Sequence, residues 1–382
     1  MGKTFSPGLY LHIPFCQSKC GYCDFYSVTD LEQRTPFLGA LESEIALSAG
    51  LVPEGVAFDT IYLGGGTPSL LTPAQIARIL DRLSEVFRIA AGAEITLEIN
   101  PGTADRKKLH EYRRTGINRL SIGIQSFDDQ QLRLLQRIHT AAQARESIRA
   151  ARSAGFDNIS LDFIYGLPGQ SRTAWRQTLK TALTYQPEHI SAYSLIIEPD
   201  TPFYRQAQDG RLRVPGDDRV AGYFIDTRQI LTDAHYVHYE ISNFARTESL
   251  RSRHNAKYWE HIPYLGLGPS AHSFWQRSRW GNQRSISGYI RNLTDGRTAR
   301  AFSEKLTRTQ LMSEHIMLAL RTAGGVGISE FNRRYRFDFL GRYGSTVSTM
   351  INAGFGRMAD DHFFLTEKGM LVCDEITLQF SA

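Results

Sequence analysis

Three cysteines, Cys16, Cys20 and Cys23, fall in one short run, IPFCQSKCGYCDFYS. Thiolates are soft ligands, and three of them on a tight loop directly after a strand-like segment can each hold one iron of a cubane iron–sulfur cluster. The fourth iron then has no nearby cysteine and keeps a position open for a small chelating molecule. That describes a working cofactor rather than a passive electron store. Two other readings fit the same spacing: a structural zinc site, which normally needs four protein ligands and has His12 nearby, or three unrelated core cysteines. Cys373, near the other end of the chain, reads as a buried small apolar residue.

The composition is that of an ordinary globular protein: 382 residues, 42% hydrophobic and 22% charged, enough for one large domain and a smaller one. Four cysteines, three of them clustered, argue against a disulfide scaffold and for a reducing cytoplasm, where thiolates stay free for metal. The opening MGKTFSPGLYLHIPF has a short apolar run ending in proline, so no secretory signal is expected. No apolar stretch is long enough to span a bilayer, so no transmembrane segment is expected. Met1 to Ser6 match the N-myristoylation pattern, with Gly2 and Ser6 in place, against the plainer reading of a frayed terminus before a strand. The net charge of +5 suits an anionic small ligand or transient contact with acidic lipid. Without a Lys/Arg block or a basic amphipathic run, no nucleic-acid partner is expected.

These residues need a scaffold, and the first half of the chain supplies a βα rhythm. Strand-like segments at 8–15, 59–65, 94–100, 119–125, 158–166 and 189–198 alternate with helical patterns at 34–49, 73–88, 104–115, 128–154 and 172–185. A parallel sheet so wound is an open doubly wound layer or a full or partial barrel, and in each the ligand site lies at the carboxyl ends of the strands. The cysteine loop, Gly64-Gly65-Gly66-Thr67-Pro68, Asn100-Pro101-Gly102, Gln125-Ser126 and Gly166-Leu167-Pro168-Gly169 all fall on that edge. Beyond about 215 the rhythm fades into a helix at 217–234, a strand-like stretch at 235–245 and aromatic, glycine-rich loops to about 282. From about 303 a helix, ISEFNRRY, a helix near 338–353 and a hairpin-like FGRMADDHFFLTEKG follow a winged-helix layout. The expected divisions are 1–235 for the barrel, 236–300 for an extension and 301–382 for a C-terminal unit.

GGGTP is neither a dinucleotide fingerprint nor a Walker loop. Its glycines allow a ligand close to the backbone, so that carbonyls and N–H groups can hold an ammonium or carboxylate; a tight βα turn is the structural alternative. Glu98 and Asp162 interrupt strands that are otherwise apolar, and a buried carboxylate is costly unless paired or bonded to a ligand. With Gln125 and with Arg137 as a balancing charge, they form a candidate ligand-holding group, or a purely structural salt-bridge layer. In His254-Asn255-Ala256-Lys257-Tyr258-Trp259, helical spacing sets His254 and Tyr258 on one face. A histidine beside two aromatics can ligate a haem iron, or sit in a hydrogen-bonded aromatic cluster. His272 is the reserve candidate.

Taken together, the motifs resemble the radical S-adenosylmethionine superfamily, whose mark is C-x-x-x-C-x-x-C with an aromatic residue, here Tyr22, before the third cysteine. The resemblance implies a partial (β/α)6 TIM-like barrel with a smaller C-terminal α+β, winged-helix-like domain. It also implies a [4Fe–4S] cluster on Cys16, Cys20 and Cys23 that binds S-adenosylmethionine at its open iron. YLHIPFC, GGGTPS, EINPG, RLSIGIQSF, DFIYGLPGQ and IEP are similar to blocks of the oxygen-independent coproporphyrinogen III oxidase branch. Carried over residue by residue, Tyr10, Tyr22, Gly65, Gly66, Thr67, Glu98, Gln125, Arg137 and Asp162 are implied as S-adenosylmethionine-site residues. Two features depart from the oxidase: Phe25 stands where it carries a fourth cysteine, and only fifteen residues precede Cys16. HNAKYW matches the H-N-x-x-Y-W signature of the HemW group of haem chaperones. That resemblance implies haem as ligand, with His254 as the candidate contact, and haem-acceptor proteins, membrane-associated respiratory proteins among them, as partners. Little or no oxidase turnover is then expected. The oxidase, or another adenosyl-radical enzyme, is the alternative.

Overall fold

The computed structural model describes residues 6–380, so the Gly2 expectation lies outside the described residues. Six parallel strands, β1 (Gly8–Ile13), β2 (Ala57–Gly65), β3 (Arg88–Ile99), β4 (Arg119–Gln125), β5 (Ile159–Tyr165) and β6 (His189–Ser194), lie side by side in chain order. With right-handed crossovers, sequential order keeps every connecting helix on one outer face, which is the winding of a barrel and not of a doubly wound layer. The helices are α1 (Arg34–Ser48), α2 (Pro73–Val86), α3 (Arg106–Arg114), α4 (Asp129–Leu134), α5 (Ala141–Ser153) and α6 (Arg172–Leu183). Between the two layers lies a core of Leu9, Leu11, Ile61, Leu63, Leu120, Ile122 and Leu161, each 1% exposed or less.

One expected helix, 128–154, is two. Thr140 and Gln143 form a reciprocal capping box that starts α5 afresh, and Gln136 takes a left-handed φ of 57° just after α4. The break has a purpose, because it frees Arg137 to reach back over the strand ends.

Past α7 (Pro202–Gln208) and α8 (Asp217–Asp233), the sheet continues at both edges. The stretch 235–245 forms two short strands, β7 (Val237–Glu240) and β8 (Asn243–Ala245), and β8 runs antiparallel to β6. After α9 (Arg253–Trp259), the region expected as loops forms β9 (Tyr264–Leu267), β10 (His272–Trp275) and β11 (Ser278–Asn282). β9 joins β1 in parallel, and β10 and β11 fold back from it antiparallel. Beyond α10 (Ile286–Thr294), β12 (Arg300–Lys305) extends the meander through residues expected to open a helix; that helix, α11 (Arg308–Leu320), begins only where Thr307 and Gln310 cap it. The result is one twelve-stranded sheet.

The C-terminal unit sets α11, α12 (Ile328–Tyr335) and α13 (Phe339–Asn352) around a small sheet of β13 (Val326–Gly327), β15 (His362–Leu365) and β14 (Gly356–Ala359), the winged-helix-like layout. Phe331, Phe339, Phe363 and Phe380 form its separate core, and Cys373 is buried there. Among the described residues no helix is long and apolar enough to cross a membrane.

Candidate cofactor site

The carboxyl ends of β1 to β6 surround a cavity of about 520 Å³, lined among others by the three clustered cysteines, Tyr22, Gly65, Gly66, Thr67, Glu98, Gln125, Arg137 and Asp162. Residues up to 239 positions apart, Cys16 and Asn255, thus share one space. Tyr10 and His254 stand outside its lining.

The cysteine loop is held at both ends. Cys16 N–H donates to Val28 O at 2.9 Å, Val28 N–H returns a bond to Pro14 O at 2.7 Å, and His12 Nε2 lies 2.8 Å from Tyr26 O. Thr67 Oγ1 donates to Cys16 Sγ at 3.6 Å, and Arg137 Nη1 lies 3.9 Å from Cys20 Sγ. Burial pushes the Cys23 thiol up to about 11. A bare thiolate there is costly unless a metal removes the cost. Among the described residues no three metal-ligating side chains converge as around a single ion. A cubane needs no such convergence, because it spreads its cysteines over separate irons. Three cavity-facing thiols with hydrogen-bond donors beside two of them therefore fit a cluster better than a tetrahedral zinc.

The glycine loop is locked as a turn as well as facing the cavity. Gly65 has φ 109°, and a Cβ there would stand 2.6 Å from the His12 ring; at Gly66 a Cβ would meet Phe15 O at 2.7 Å. The Gly66 and Thr67 N–H groups donate to Ile13 O and Phe15 O, and Gly65 N–H donates to Glu98 Oε2 at 3.1 Å. These N–H groups are engaged within the fold, where they tie β2 to β1 and orient Glu98.

Glu98 also accepts from Tyr62 OH at 2.7 Å, and its carboxyl is raised to about 7, chiefly by burial, with the Asp162 charge adding to the rise. Asp162 accepts from Ser121 at 2.7 Å and Ser160 at 2.9 Å; burial raises it too, against those hydroxyls. The balancing cation differs from the expected one. Arg137 bonds Asn100 Oδ1 at 2.5 Å and Gly123 O at 2.9 Å above the strand ends, whereas the buried Arg119 faces the two carboxylates from the cavity floor and lowers both. Gln125 stands at the rim with a left-handed φ of 62°. Tyr22 packs on Phe203 at a ring separation of 6.2 Å.

Arg119, Tyr62, Ser121 and Ser191 line the cavity and were not singled out from the sequence, whereas Asn100 lies in a turn expected on this edge. For the strand residues a signal existed, since Ser121 shares the inward face of its strand with Arg119 by the alternation of side chains.

His254 is 1% exposed, and both ring nitrogens are engaged: Nδ1 lies 2.9 Å from Thr60 Oγ1 and Nε2 2.9 Å from Tyr258 OH. Its ring stacks on Tyr62 at 5.2 Å, and burial lowers it to about 3, so it is neutral. Glu94 accepts from the Arg253 and His254 N–H groups, and Asp59 pairs with Arg253 and Lys257 at 2.9 and 2.6 Å. Helix α9 is thereby fastened to the early turns of β2 and β3, under the barrel floor. Only Asn255 of this motif reaches the cavity lining. Tyr10 belongs to the same layer, with its OH 3.1 Å from His12 Nδ1 and its ring 6.2 Å from that of Tyr62. His272 is on the exposed end of β10, remote from the cavity lining.

A six-stranded parallel barrel with a cysteine triad at the end of its first strand defines the class, and residues 10–182 match the family model of the radical SAM superfamily. Residues 306–372 match the model of the HemN C-terminal domain. Heme chaperone HemW of Synechocystis sp. is 38% identical, over 83% of this chain and 78% of that protein; the protein of the same name from Bacillus subtilis is 33% identical, over 96% and 97%. The chain belongs to the HemW family. A solved structure of coproporphyrinogen III oxidase (HemN) from Escherichia coli, described as a radical SAM enzyme, superposes with a TM-score of 0.85 at 26% identity, over 99% of this chain and 90% of that one.

Proposed function

We propose that this chain is a cytoplasmic haem chaperone: it binds haem, carries a [4Fe–4S] cluster on Cys16, Cys20 and Cys23 with S-adenosylmethionine beside it, and passes haem to acceptor proteins. The observation that carries the reading is the composition of the cavity mouth. Phe25 is 66% exposed and Ile196 64%, and with Tyr193 they put exposed apolar surface on the lining of the cavity that holds the thiols. Large exposed apolar groups around a concave polar site mark a place for a flat apolar ligand rather than for water. The relatives named heme chaperone HemW support the same ligand.

Below the rim the residues divide the work. Cys16, Cys20 and Cys23 would hold the cluster, which with S-adenosylmethionine bound would supply one-electron reduction of the sulfonium. Glu98 offers an ionised oxygen to the ligand's ammonium group, and Tyr62 and Gly65 fix its direction. Asp162, oriented by Ser121 and Ser160, presents acceptors to the ligand's hydroxyls from the inner wall. Arg137 holds a positive charge beside the Cys20 sulfur. We assign 1–235 to this barrel, 236–300 to the extension that plugs and widens it, and 301–382 to the C-terminal unit.

For His254 to meet a haem iron, one of its two hydrogen bonds must open. The arrangement suits a structural histidine, and the haem contact is assigned here to the rim. An oxidase reading draws support from the HemN likeness, and Phe25 in place of a fourth cysteine weighs against it. Anaerobic reconstitution followed by haem titration and a coproporphyrinogen decarboxylation assay separates the two. Tight haem binding without decarboxylation is expected, and sustained turnover to protoporphyrinogen would overturn the chaperone assignment.

A further inference from the structure

A second concave site lies at the seam between the C-terminal unit and the β9–β11 meander. Its volume is about 440 Å³, and it shares no lining residue with the cysteine cavity. Four arginines converge on it from three elements: Arg277 from the β10–β11 turn, Arg308 from the first turn of α11, and Arg334 and Arg336 from the end of α12. Three of them donate to backbone carbonyls rather than to carboxylates: Arg277 to Leu306 O at 3.4 Å, Arg308 to Arg336 O at 2.8 Å and Arg334 to His261 O at 3.3 Å. Each such bond uses one of five donors and none of the charge. Among the described residues none of the four is ion-paired. Glu314, the carboxylate beside His261, is held by Arg279 at 2.9 Å.

His261 adds a second, independent observation. It lines the cleft, is 5% exposed, and neither ring nitrogen has an aligned hydrogen-bond partner; Nε2 has the Glu314 carboxylate 3.4 Å away, and Nδ1 has no partner in the fold. The ring is fixed flat on Phe274 at 4.4 Å. A buried ring nitrogen without a partner, as at Nδ1, is costly unless a ligand or water supplies one. The backbone points the same way, for His261, Gln276, Arg277 and Arg336 all have left-handed φ, between 46° and 67°. Glycine or asparagine normally fills such positions, and larger side chains are held there at a cost in backbone strain. At Arg277 and Arg336 that conformation turns a guanidinium toward the cleft. The amino end of the thirteen-residue α11 adds its partial positive charge.

We propose that this cleft is an anion site that takes a phosphate-bearing ligand. Four guanidiniums exceed what one carboxylate balances, while a phosphate ester accepts several forked pairs at once. Phe274, Leu311 and Tyr335 form an apolar wall beside the charges, so the ligand carries an apolar or ring portion next to its phosphate. Such a group comes from a free phosphorylated molecule or from an acidic phospholipid headgroup.

The full-length protein is titrated with inorganic pyrophosphate by calorimetry and thermal melting, and in parallel with phosphatidylglycerol-containing and pure phosphatidylcholine vesicles by flotation. Binding of either probe is expected, weakening with added salt and falling at least about tenfold in Arg308→Gln/Arg336→Gln. Arg277→Gln, on the turn, supplies a variant outside the helices, and Arg205→Gln on α7 is the control. Pyrophosphate binding alone assigns a soluble ligand, and selective capture by phosphatidylglycerol vesicles assigns a headgroup. The proposal is overturned if neither probe binds, or if the parent and both cleft variants bind equally while melting at the same temperature without ligand.

Discussion

At the mouth of the barrel, polar side chains face an open cavity with capacity left over: three thiols, a carboxylate near its midpoint at neutral pH, and an arginine beside a sulfur. At the floor, equally polar residues on α9 are closed upon one another. His254, Thr60, Tyr258, Glu94, Asp59 and Lys257 pair with one another or with the α9 backbone, and His254, Thr60, Glu94 and Lys257 are buried. The contrast separates two uses of chemically capable residues. Unsatisfied groups in a cavity hold ligands, whereas a saturated buried network fixes an element in place. Burying neutral His254 beside Tyr62 also braces the tyrosine that aims Glu98.

The largest effect expected from this contrast falls at the mouth. Replacing any one of Cys16, Cys20 or Cys23 by serine should remove most of the iron and inorganic sulfide from anaerobically reconstituted protein, while His254→Ala keeps both at the parent level. Equal iron in a cysteine variant, measured by metal and sulfide analysis, would break the distinction. Next in size, His254→Ala removes two buried hydrogen bonds and leaves a void, a loss of about 2–4 kcal/mol. Denaturant melting should register it, and the Soret band of the haem complex should keep its position. A shifted band with normal stability would move the haem contact to the floor.

Glu98 sharpens the comparison through pH. Its folded pKa, about 7, is raised, so its contribution to stability is fully present below the unfolded value and is lost as pH rises through 7. The ionised form is the one that accepts from an ammonium group. S-adenosylmethionine should therefore bind more tightly on going from about pH 6 to pH 8. Glu98→Gln should flatten that dependence and weaken binding roughly tenfold, as equilibrium dialysis would show; a Gln variant that retains the slope would assign it elsewhere. Smallest of all, Phe25→Ala should change stability by less than about 0.5 kcal/mol, since the ring is exposed, yet weaken haem binding several-fold in a spectral titration. Unchanged haem affinity would remove Phe25 from the rim.

How far the sequence revealed all this depended on distance along the chain. The cysteine loop is local, and its spacing alone conveys the donor set. The βα strands carry their own periodicity, and the clustering of unusual turns at one edge follows from the winding. The role of α9 was hidden because His254 finds its partner Thr60 across 194 residues, so a saturated histidine and an open ligand look alike in one dimension. Arg119 was masked likewise, since it opens a strand like a surface residue yet is 1% exposed. The strands β9 to β11 escaped notice because each is five residues or fewer, and glycine-containing pieces become strands only by pairing with a sheet that already exists.

The most direct test of the central claim, that the three thiols leave one iron open beside Glu98, is the EPR spectrum of the dithionite-reduced, anaerobically reconstituted protein with and without S-adenosylmethionine. A reduced [4Fe–4S] signal that changes shape when S-adenosylmethionine is added, and that is absent from Cys20→Ser, is the predicted result. A signal indifferent to S-adenosylmethionine, or no cluster signal in the parent, would contradict it.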